Sequence, residues 1–465
     1  MFDLGDLVGK QLFGTDGIRG VAGEYPLDPA TVYAFGVALG RDAVSAAASP
    51  EILIGPEILI GPEILIGTDT RESGPWIAGL VAGGLASAGA RVRYAGVITT
   101  PGVAYLTRTG GFVAGVMISA SHNPFQDNGL KVFGNDGFKL PDAEEHTIEQ
   151  EILRLRANGV EPRPATVTVD LELARKYLEF LLSVSSLRLD GVKLVLDCGH
   201  GAAFCLGPEL FQRLGAVVIP LGCAPNGRNI NLDSGALHVE GLQAAVLANH
   251  ADFGVAFDGD ADRSIFVSKS GKIVDGDGVL LVCGRALQAS GHLKGGTVVS
   301  TVMANLGLER ALHRQGIRMV RTPVGDKYVL EEMVRLGAAL GGEQSGHIIF
   351  RDYATTGDGL MTALRLFEIA ARAGEGLDEL TASLELYPQK LVNVRVREKK
   401  GLTELPAVAR EIRHVEEAFG STGRVLVRFS GTEPLARVMV EGPDLAQVES
   451  FSARIAEAID REMGV

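Results

Sequence analysis

Short apolar runs alternate with helix-period segments from the N-terminus to about residue 380, the pattern of strands and helices stacked in α/β layers. GVKLVLDCG (191–199) predicts a strand, GPELFQRLGA (207–216) a helix and VVIPLG (217–222) the next strand. TVVSTV (297–302), ANLGLERALHRQG (304–316) and IRMVRTPV (317–324) repeat that order. The rhythm changes near Pro388. There KLVNVRVRE (390–398) reads as a strand and 404–419 as a helix. GRVLVRFSG and LARVMVEG read as two strands across a turn, and 444–463 as a closing helix. This β-α-β-β-α order predicts a smaller α+β module at the C-terminus. Boundaries are expected in the polar stretch near 160–170, at Ser270-Gly271 and at Tyr387-Pro388. The resulting domains are 1–165, 166–271, 272–387 and 388–465.

One segment breaks the pattern. EILIGP stands at 51–56 and again at 57–62, and EILIG a third time at 63–67, running into Thr68-Asp69-Thr70-Arg71. Hexapeptide repeats build β-helices, but three units make only about one coil. The copy adjoining Thr68 is therefore expected to be the buried strand, with the two earlier copies looped out before it, since a surface insertion costs little closure entropy.

Length and composition narrow the picture. At 465 residues the chain is too long for one core, and domains of about 100–200 residues predict three or four. A net charge of −13 disfavours nucleic acid or an anionic membrane as main partner. It leaves room for a small phosphorylated ligand held by a few local arginines. Glycine, 60 of 465 residues against a usual share of about 7%, points to tight turns and close backbone approaches. Cys198, Cys205, Cys223 and Cys283 lack metal-ligand spacing and read as reduced thiols. The opening MFDLGDLVGKQLFG has no apolar signal core. The uncharged stretch Gly74–Ala90 is shorter than the ~20 apolar residues of a membrane span. A cytoplasmic protein is expected.

Candidate chemistry concentrates in a few segments. Asp258-Gly259-Asp260-Ala261-Asp262-Arg263 follows the strand-like FGVAF, and its three carboxylates at alternate positions face one side of a near-extended loop. Such crowding is unfavourable unless a cation neutralises it, so the segment reads as three oxygen ligands for a hard divalent metal. In Ile118-Ser119-Ala120-Ser121-His122-Asn123-Pro124 an apolar strand ends in small polar residues. Ser121 beside His122 lacks the G-x-S-x-G elbow of a serine hydrolase. A serine phosphate there would supply a further oxygen to the metal, although the segment by itself could equally be a turn. Arg428-Phe429-Ser430-Gly431-Thr432-Glu433-Pro434, with Arg437 beyond, makes an anion cradle, although a hairpin turn also uses Ser-Gly-Thr. Gly342-Glu343-Gln344-Ser345-Gly346-His347 offers a carboxylate and a hydroxyl to vicinal sugar hydroxyls, or is a plain β-turn. Arg19 in Gly14–Gly20 is equally open. Gly199-His200-Gly201 is no dinucleotide fingerprint, because the third glycine is misplaced.

Taken together and in this order, FGTDGIRG, ISASHNPFQDNGLKVF, DGDADR, GGEQSGHIIF with TTGDG, and SGTEPLARVMVEG resemble the α-D-phosphohexomutase superfamily, over Phe13 to Gly442. GGEQSGHIIF and TVMANLGL are similar to its glucosamine-phosphate branch. The resemblance implies four domains around a central cleft: three similar α/β domains with mixed sheets and the smaller C-terminal α+β domain. It implies Ser121 as the phosphoserine and Asp258, Asp260 and Asp262, with the Ser121 phosphate, as ligands of one Mg²⁺. Glu343 and Ser345 are implied at the sugar hydroxyls. Arg428, Ser430, Gly431, Thr432 and Arg437 are implied at the non-reacting phosphate. Arg19, Lys131 and His347 are implied around the transferring group. It further implies a hexosamine phosphate substrate, glucosamine 1,6-bisphosphate or glucose 1,6-bisphosphate as primer, and a homodimer. A phosphoglucomutase or phosphomannomutase of the same superfamily is the nearer alternative. A non-catalytic sugar-phosphate sensor and a phosphoserine-hydrolysing phosphatase are the others.

Overall fold

Residues 12–14, 16–47, 61–398, 401, 405–429 and 434–464 are described by a computed structural model. Among the described residues, eighteen strands form four sheets. The first contains β1 (Phe13–Gly14), β2 (Gly17–Val21), β3 (Glu63–Thr68), β4 (Arg91–Val97), β5 (Ala114–Ile118) and β6 (Asp127–Gly134), in the order β1-β2-β6-β5-β3-β4. The second contains β7 (Lys193–Asp197), β8 (Val217–Leu221), β9 (Phe253–Phe257), β10 (Ser264–Ser268) and β11 (Ile273–Val274), in the order β11-β10-β9-β7-β8. The third is β13-β12-β14-β15, from β12 (Thr297–Thr301), β13 (Arg318–Thr322), β14 (Leu340–Gly342) and β15 (Ile348–Phe350).

These three sheets share one plan. Parallel strands (β3, β4 and β5; β7, β8 and β9; β12, β13 and β14) are followed by an antiparallel return strand, β6, β10 or β15. Each return is a hairpin off the last parallel strand, and its loop lies at that strand's C-terminal end. The three loops are 119–126, 258–263 and 343–347, which carry Ser121, the three aspartates, and Glu343 with Ser345.

Burial on both faces explains the continuous apolar runs. Ile64 and Ile66 of β3 and Val116 and Ile118 of β5 pack into one core with the helices Pro29–Ala47 and Gly74–Ser87. All five residues of β5 are buried, as expected for a parallel strand covered on both sides. β3 is the third EILIG copy, Glu63–Gly67, as expected. The positions 51–60 of the earlier copies lie outside the described residues. The uncharged stretch from Gly74 becomes the buried helix Gly74–Ser87. Among the described residues no helix is long and apolar enough to cross a membrane. All four cysteines are free thiols.

The fourth sheet is β16-β18-β17, from β16 (Gln389–Arg395), β17 (Arg424–Phe429) and β18 (Leu435–Glu441), backed by helices Pro406–Phe419 and Leu445–Met463. The chain divides into two compact units, 1–303 with 317–382, and 304–316 with 383–465. Segment 304–316 is a helix, as the pattern predicts, but it groups with the C-terminal module instead of the third sheet. Glu441, buried on β18, accepts from the Leu306 amide at 2.9 Å, and Asn305 donates to the Tyr387 carbonyl at 2.9 Å.

Candidate active site

Two hairpin loops meet. Ser121 follows the end of β5, and its Oγ donates to Asp258 Oδ2 at 2.5 Å, across 137 residues of sequence. Both residues are buried. The approach is close because residue 259 is glycine: a Cβ there would stand 2.5 Å from the Ser121 carbonyl oxygen. Ser121 and Ala261, one in each loop, have φ of 51° and 57°, a left-handed backbone that L-residues adopt only when their surroundings enforce it.

Asp258, Asp260 and Asp262 each place a carboxylate oxygen within 4.8 Å of the others. Asp260 Oδ1 and Asp262 Oδ1 are buried and make no hydrogen bond among the described residues. Buried, unsatisfied anionic oxygens are costly, and an all-oxygen set fits a hard divalent cation. These residues therefore suit a metal. Without one, burial pushes the Asp258 carboxyl well above the usual range, and the neighbouring charges of Asp262 and Asp260 add to it.

Cations crowd the same point. Lys131, on β6 and buried, sets Nζ 2.9 Å from Asp260 Oδ2, 3.2 Å from Asp16 Oδ2 and 3.6 Å from Asp262 Oδ2. Burial alone would lower its pKa, but Asp16, Asp260 and Asp262 outweigh it and hold the side chain as an ammonium. Arg19, on the adjacent β2, is paired with Asp16, and its Nε is buried without a partner among the described residues. Asp16 also takes Lys139 Nζ at 2.5 Å, and the same Nζ reaches Asp326 at 2.5 Å. His347 Nδ1 lies 3.6 Å from Asp262 Oδ1, while its Nε2 accepts the Gly357 amide at 2.9 Å. That acceptor role assigns the ring proton to Nδ1. Burial, then the charges of Arg263 and Arg19, lower the His122 pKa to about 4, so this ring beside Ser121 is neutral at pH 7.

Ser121, the aspartates, Lys131, Arg19 and His347 thus form one cluster. Glu343 and Ser345 occupy the third hairpin loop. Glu343 Oε1 accepts the Gly325 amide at 3.1 Å, and the Gly346 carbonyl accepts the Ser264 amide at 3.1 Å, tying this loop to the end of the aspartate loop. Ser345 is exposed. In the other unit, Arg428 and Arg437 are directly opposed on β17 and β18. Burial, then the like charge of Arg437, lower the Arg428 pKa. Ser430, Gly431 and Thr432 lie outside the described residues.

Sequence reasoning missed several groups. Arg71, Asp69, Asp16, Lys139, Asp326, Thr100 and Asn231 all contact the cluster or its loops. For Arg71 and Asp69 a signal existed, since charges placed directly after the buried strand EILIG sit at the same sheet end as Ser121.

A buried serine hydroxyl, a three-carboxylate metal locus and a fringe of cations, carried on three repeated α/β units, define a phosphoryl-transfer enzyme. Models of the phosphoglucomutase/phosphomannomutase family match in succession: alpha/beta/alpha domain I at 10–158, domain II at 175–271, domain III at 275–387 and the C-terminal domain at 391–458. A protein named phosphoglucosamine mutase from Solibacter usitatus is 73% identical over 98% of this chain and 99% of its own length. Among solved structures, a phosphoglucomutase/phosphomannomutase family protein from Burkholderia thailandensis superposes with a TM-score of 0.76 at 25% identity, covering 96% of this chain and 97% of that one. N-acetylphosphoglucosamine mutase from Aspergillus fumigatus, in complex with GlcNAc-6P and magnesium, shares the fold with a TM-score of 0.66 at 19% identity, covering 99% of this chain and 97% of that one. The chain belongs to the phosphoglucomutase/phosphomannomutase family, within the α-D-phosphohexomutase superfamily.

Proposed function

We propose that this chain is a cytoplasmic enzyme interconverting glucosamine 6-phosphate and glucosamine 1-phosphate through phosphorylated Ser121. The observation that carries the reading is the 2.5 Å contact between Ser121 Oγ and Asp258 inside the carboxylate cluster. The 73% identical relative supports the sugar.

O1 of glucosamine 6-phosphate attacks the Ser121 phosphorus, the bond to Ser121 Oγ breaks, and the 1,6-bisphosphate forms. After the intermediate turns over, Ser121 Oγ takes the phosphoryl group from O6, and glucosamine 1-phosphate leaves. Asp258, Asp260 and Asp262 would hold one Mg²⁺, which when bound supplies positive charge at the phosphoryl oxygens. Arg19 and Lys131 add fixed positive charge there, and preorganised charge of this kind is the main lever in phosphoryl transfer. Of the two candidates for exchanging the proton of the sugar hydroxyl, His347 and Lys131, His347 takes this role, because the carboxylates hold Lys131 as an ammonium. Glu343 and Ser345 hold sugar hydroxyls. In the same reading Arg428, Ser430, Gly431, Thr432 and Arg437 hold the non-reacting phosphate. A hexose 1,6-bisphosphate primes the unphosphorylated serine, the chain works as a homodimer, and its domains divide at 165, 271 and 387.

The test is intact mass with peptide mapping. One phosphate on Ser121, lost to a sugar monophosphate acceptor, is expected. Ser121→Ala should abolish turnover with the circular dichroism spectrum unchanged, and near-normal turnover by that variant would defeat the assignment. Faster turnover of glucose or mannose phosphates would reassign the sugar.

A further inference from the structure

Arg71 is buried, and all five N–H groups of its guanidinium are spent. Nε donates to Asp69 Oδ2 at 2.9 Å. Nη1 donates to the carbonyls of Pro124 and, at 2.9 Å, Asp127. Nη2 donates to the carbonyls of Ser121 at 3.0 Å and Asn123 at 2.8 Å. Asp69 also accepts the Ser119 hydroxyl at 2.6 Å, and Ser119 Oγ accepts the Ser121 amide at 2.9 Å. Ser121 is therefore gripped at both its N–H and its C=O by one connected array with a single guanidinium at the centre.

The array follows from topology. β3 and β5 are neighbouring parallel strands, with Thr68 opposite Ile118, so the residues leaving β3 stand beside the loop leaving β5. Only the EILIG copy that runs into Thr68-Asp69-Thr70-Arg71 delivers the arginine to this place. The array is also expensive. Burying a cation costs several kcal/mol before pairing, and a left-handed serine costs roughly 1–2 kcal/mol. A loop that only had to turn would use glycine and water. Arginine is the one side chain with five fixed donors, enough to orient four carbonyls at once.

We propose that Arg71 is the positioning residue of the phosphoryl donor, fixing the Ser121 hydroxyl against Asp258 through the loop backbone. It touches neither sugar nor phosphoryl group, so it acts on the geometry of transfer and leaves substrate affinity alone. The inference rests on the phosphoserine reading above. A donor displaced by about 1 Å loses roughly 100-fold in rate.

The experiment compares wild type, Arg71→Lys, Arg71→Gly and Ser119→Ala. It measures kcat and KM for glucosamine 6-phosphate, and amide hydrogen exchange of the 119–127 segment by mass spectrometry. Arg71→Lys should lose roughly 100-fold in kcat with KM within about threefold. Arg71→Gly should regain about tenfold on addition of methylguanidinium and nothing with methylammonium, because five directed donors and not charge alone are missing. Ser119→Ala, which keeps Arg71 and removes one link, should lose about tenfold in kcat with the same KM and faster exchange in 119–127. It decides the matter if the Arg71 variants do not fold. Unchanged kcat per folded molecule in Ser119→Ala or Arg71→Lys, or equal rescue by both cations, overturns the proposal. Wild type without mutase turnover defeats the phosphoserine reading instead. Exchange then judges the clamp, and unaltered protection of 119–127 in the variants overturns it.

Discussion

Lys131→Met separates the two tasks of the buried ammonium. In the chain without metal, Nζ is the cation nearest to Asp260, at 2.9 Å, and also lies within 3.6 Å of Asp16 and Asp262. Methionine fills similar volume and takes from Asp260 its paired cation, a loss of about 3–5 kcal/mol for a broken buried pair. The compact unit containing the site is 1–303 with 317–382, and the conversion to Tm treats it as unfolding in one step. An unfolding entropy of about 0.8 kcal/mol/K for a unit of that size converts the loss to about 4–6 °C in Tm. The effect on Mg²⁺ affinity has the opposite sign and narrows the gap without closing it. Even in fully water-screened surroundings, a unit charge about 6 Å from a divalent cation is worth about 1.4 kcal/mol, so its removal should tighten Mg²⁺ binding about tenfold. Calorimetry of both proteins across a Mg²⁺ titration reads both effects. The variant should melt lower in chelator and gain more from Mg²⁺ than wild type does. Identical Mg²⁺-induced shifts would refute the idea that the lysine and the metal compete for the same carboxylates.

Two further outcomes follow from buried carboxyls. Asp260→Asn keeps the shape but removes the charge shared with Lys131, so Mg²⁺-dependent turnover should fall by at least about 100-fold while chelator Tm moves by no more than a few degrees; equal losses would mark the cluster as structural. Asp358 caps the helix Gly359–Ala373 through the Met361 amide at 2.9 Å and accepts the Tyr177 hydroxyl at 2.8 Å; burial raises its pKa from 3.8 to about 6 against those hydrogen bonds. The folded chain therefore holds this proton more tightly than the unfolded one. The stability it contributes is present below about pH 4 and lost, by about 3 kcal/mol, as pH rises through 6. Asp358→Asn should gain on wild type in Tm between pH 4 and 7, and parallel curves would show that the shift is absent.

What could be read ahead of the structure divides along a physical line. Strand and helix identity follow from local period, and in the C-terminal module the order 390–398, 404–419, 444–463 returns as β16 and helices Pro406–Phe419 and Leu445–Met463. The aspartate loop was legible because its chemistry is local: three like charges in five residues need a counter-ion whatever surrounds them. Lys139 and Asp326 were not legible, and Arg71 signalled its sheet end without its partner. Each is an ordinary charged residue in its own segment, and each becomes part of the site through pairing across the sheet or between sheets. Lys139 meets Asp326 across 187 residues, and Arg71 meets Ser121 across 50.

The repeated sheet plan explains why local motifs alone pointed to the centre, while its supports Arg19 and Lys131 were reached only through the family resemblance and Arg71 was missed. In each of the three α/β units the last parallel strand turns back through a hairpin, and at these hairpins the chain leaves the hydrogen-bonded ladder. A strand end of this kind can carry reactive groups without disturbing the core, so Ser121, the aspartates and Glu343 fall at equivalent places and announce themselves by breaking an apolar run. Their supports come instead from neighbouring strands, β2 for Arg19, β6 for Lys131 and the end of β3 for Arg71, whose alignment depends on register. Slipping β3 by one residue would exchange the side chains on its two buried faces and carry Arg71 away from the Ser121 carbonyl. In a chain holding three copies of EILIG, the hydrophobic pattern alone accepts any copy as β3. Only the third copy, as β3, leads directly into Thr68-Asp69-Thr70-Arg71 and so sets Arg71 within reach of the Ser121 carbonyl.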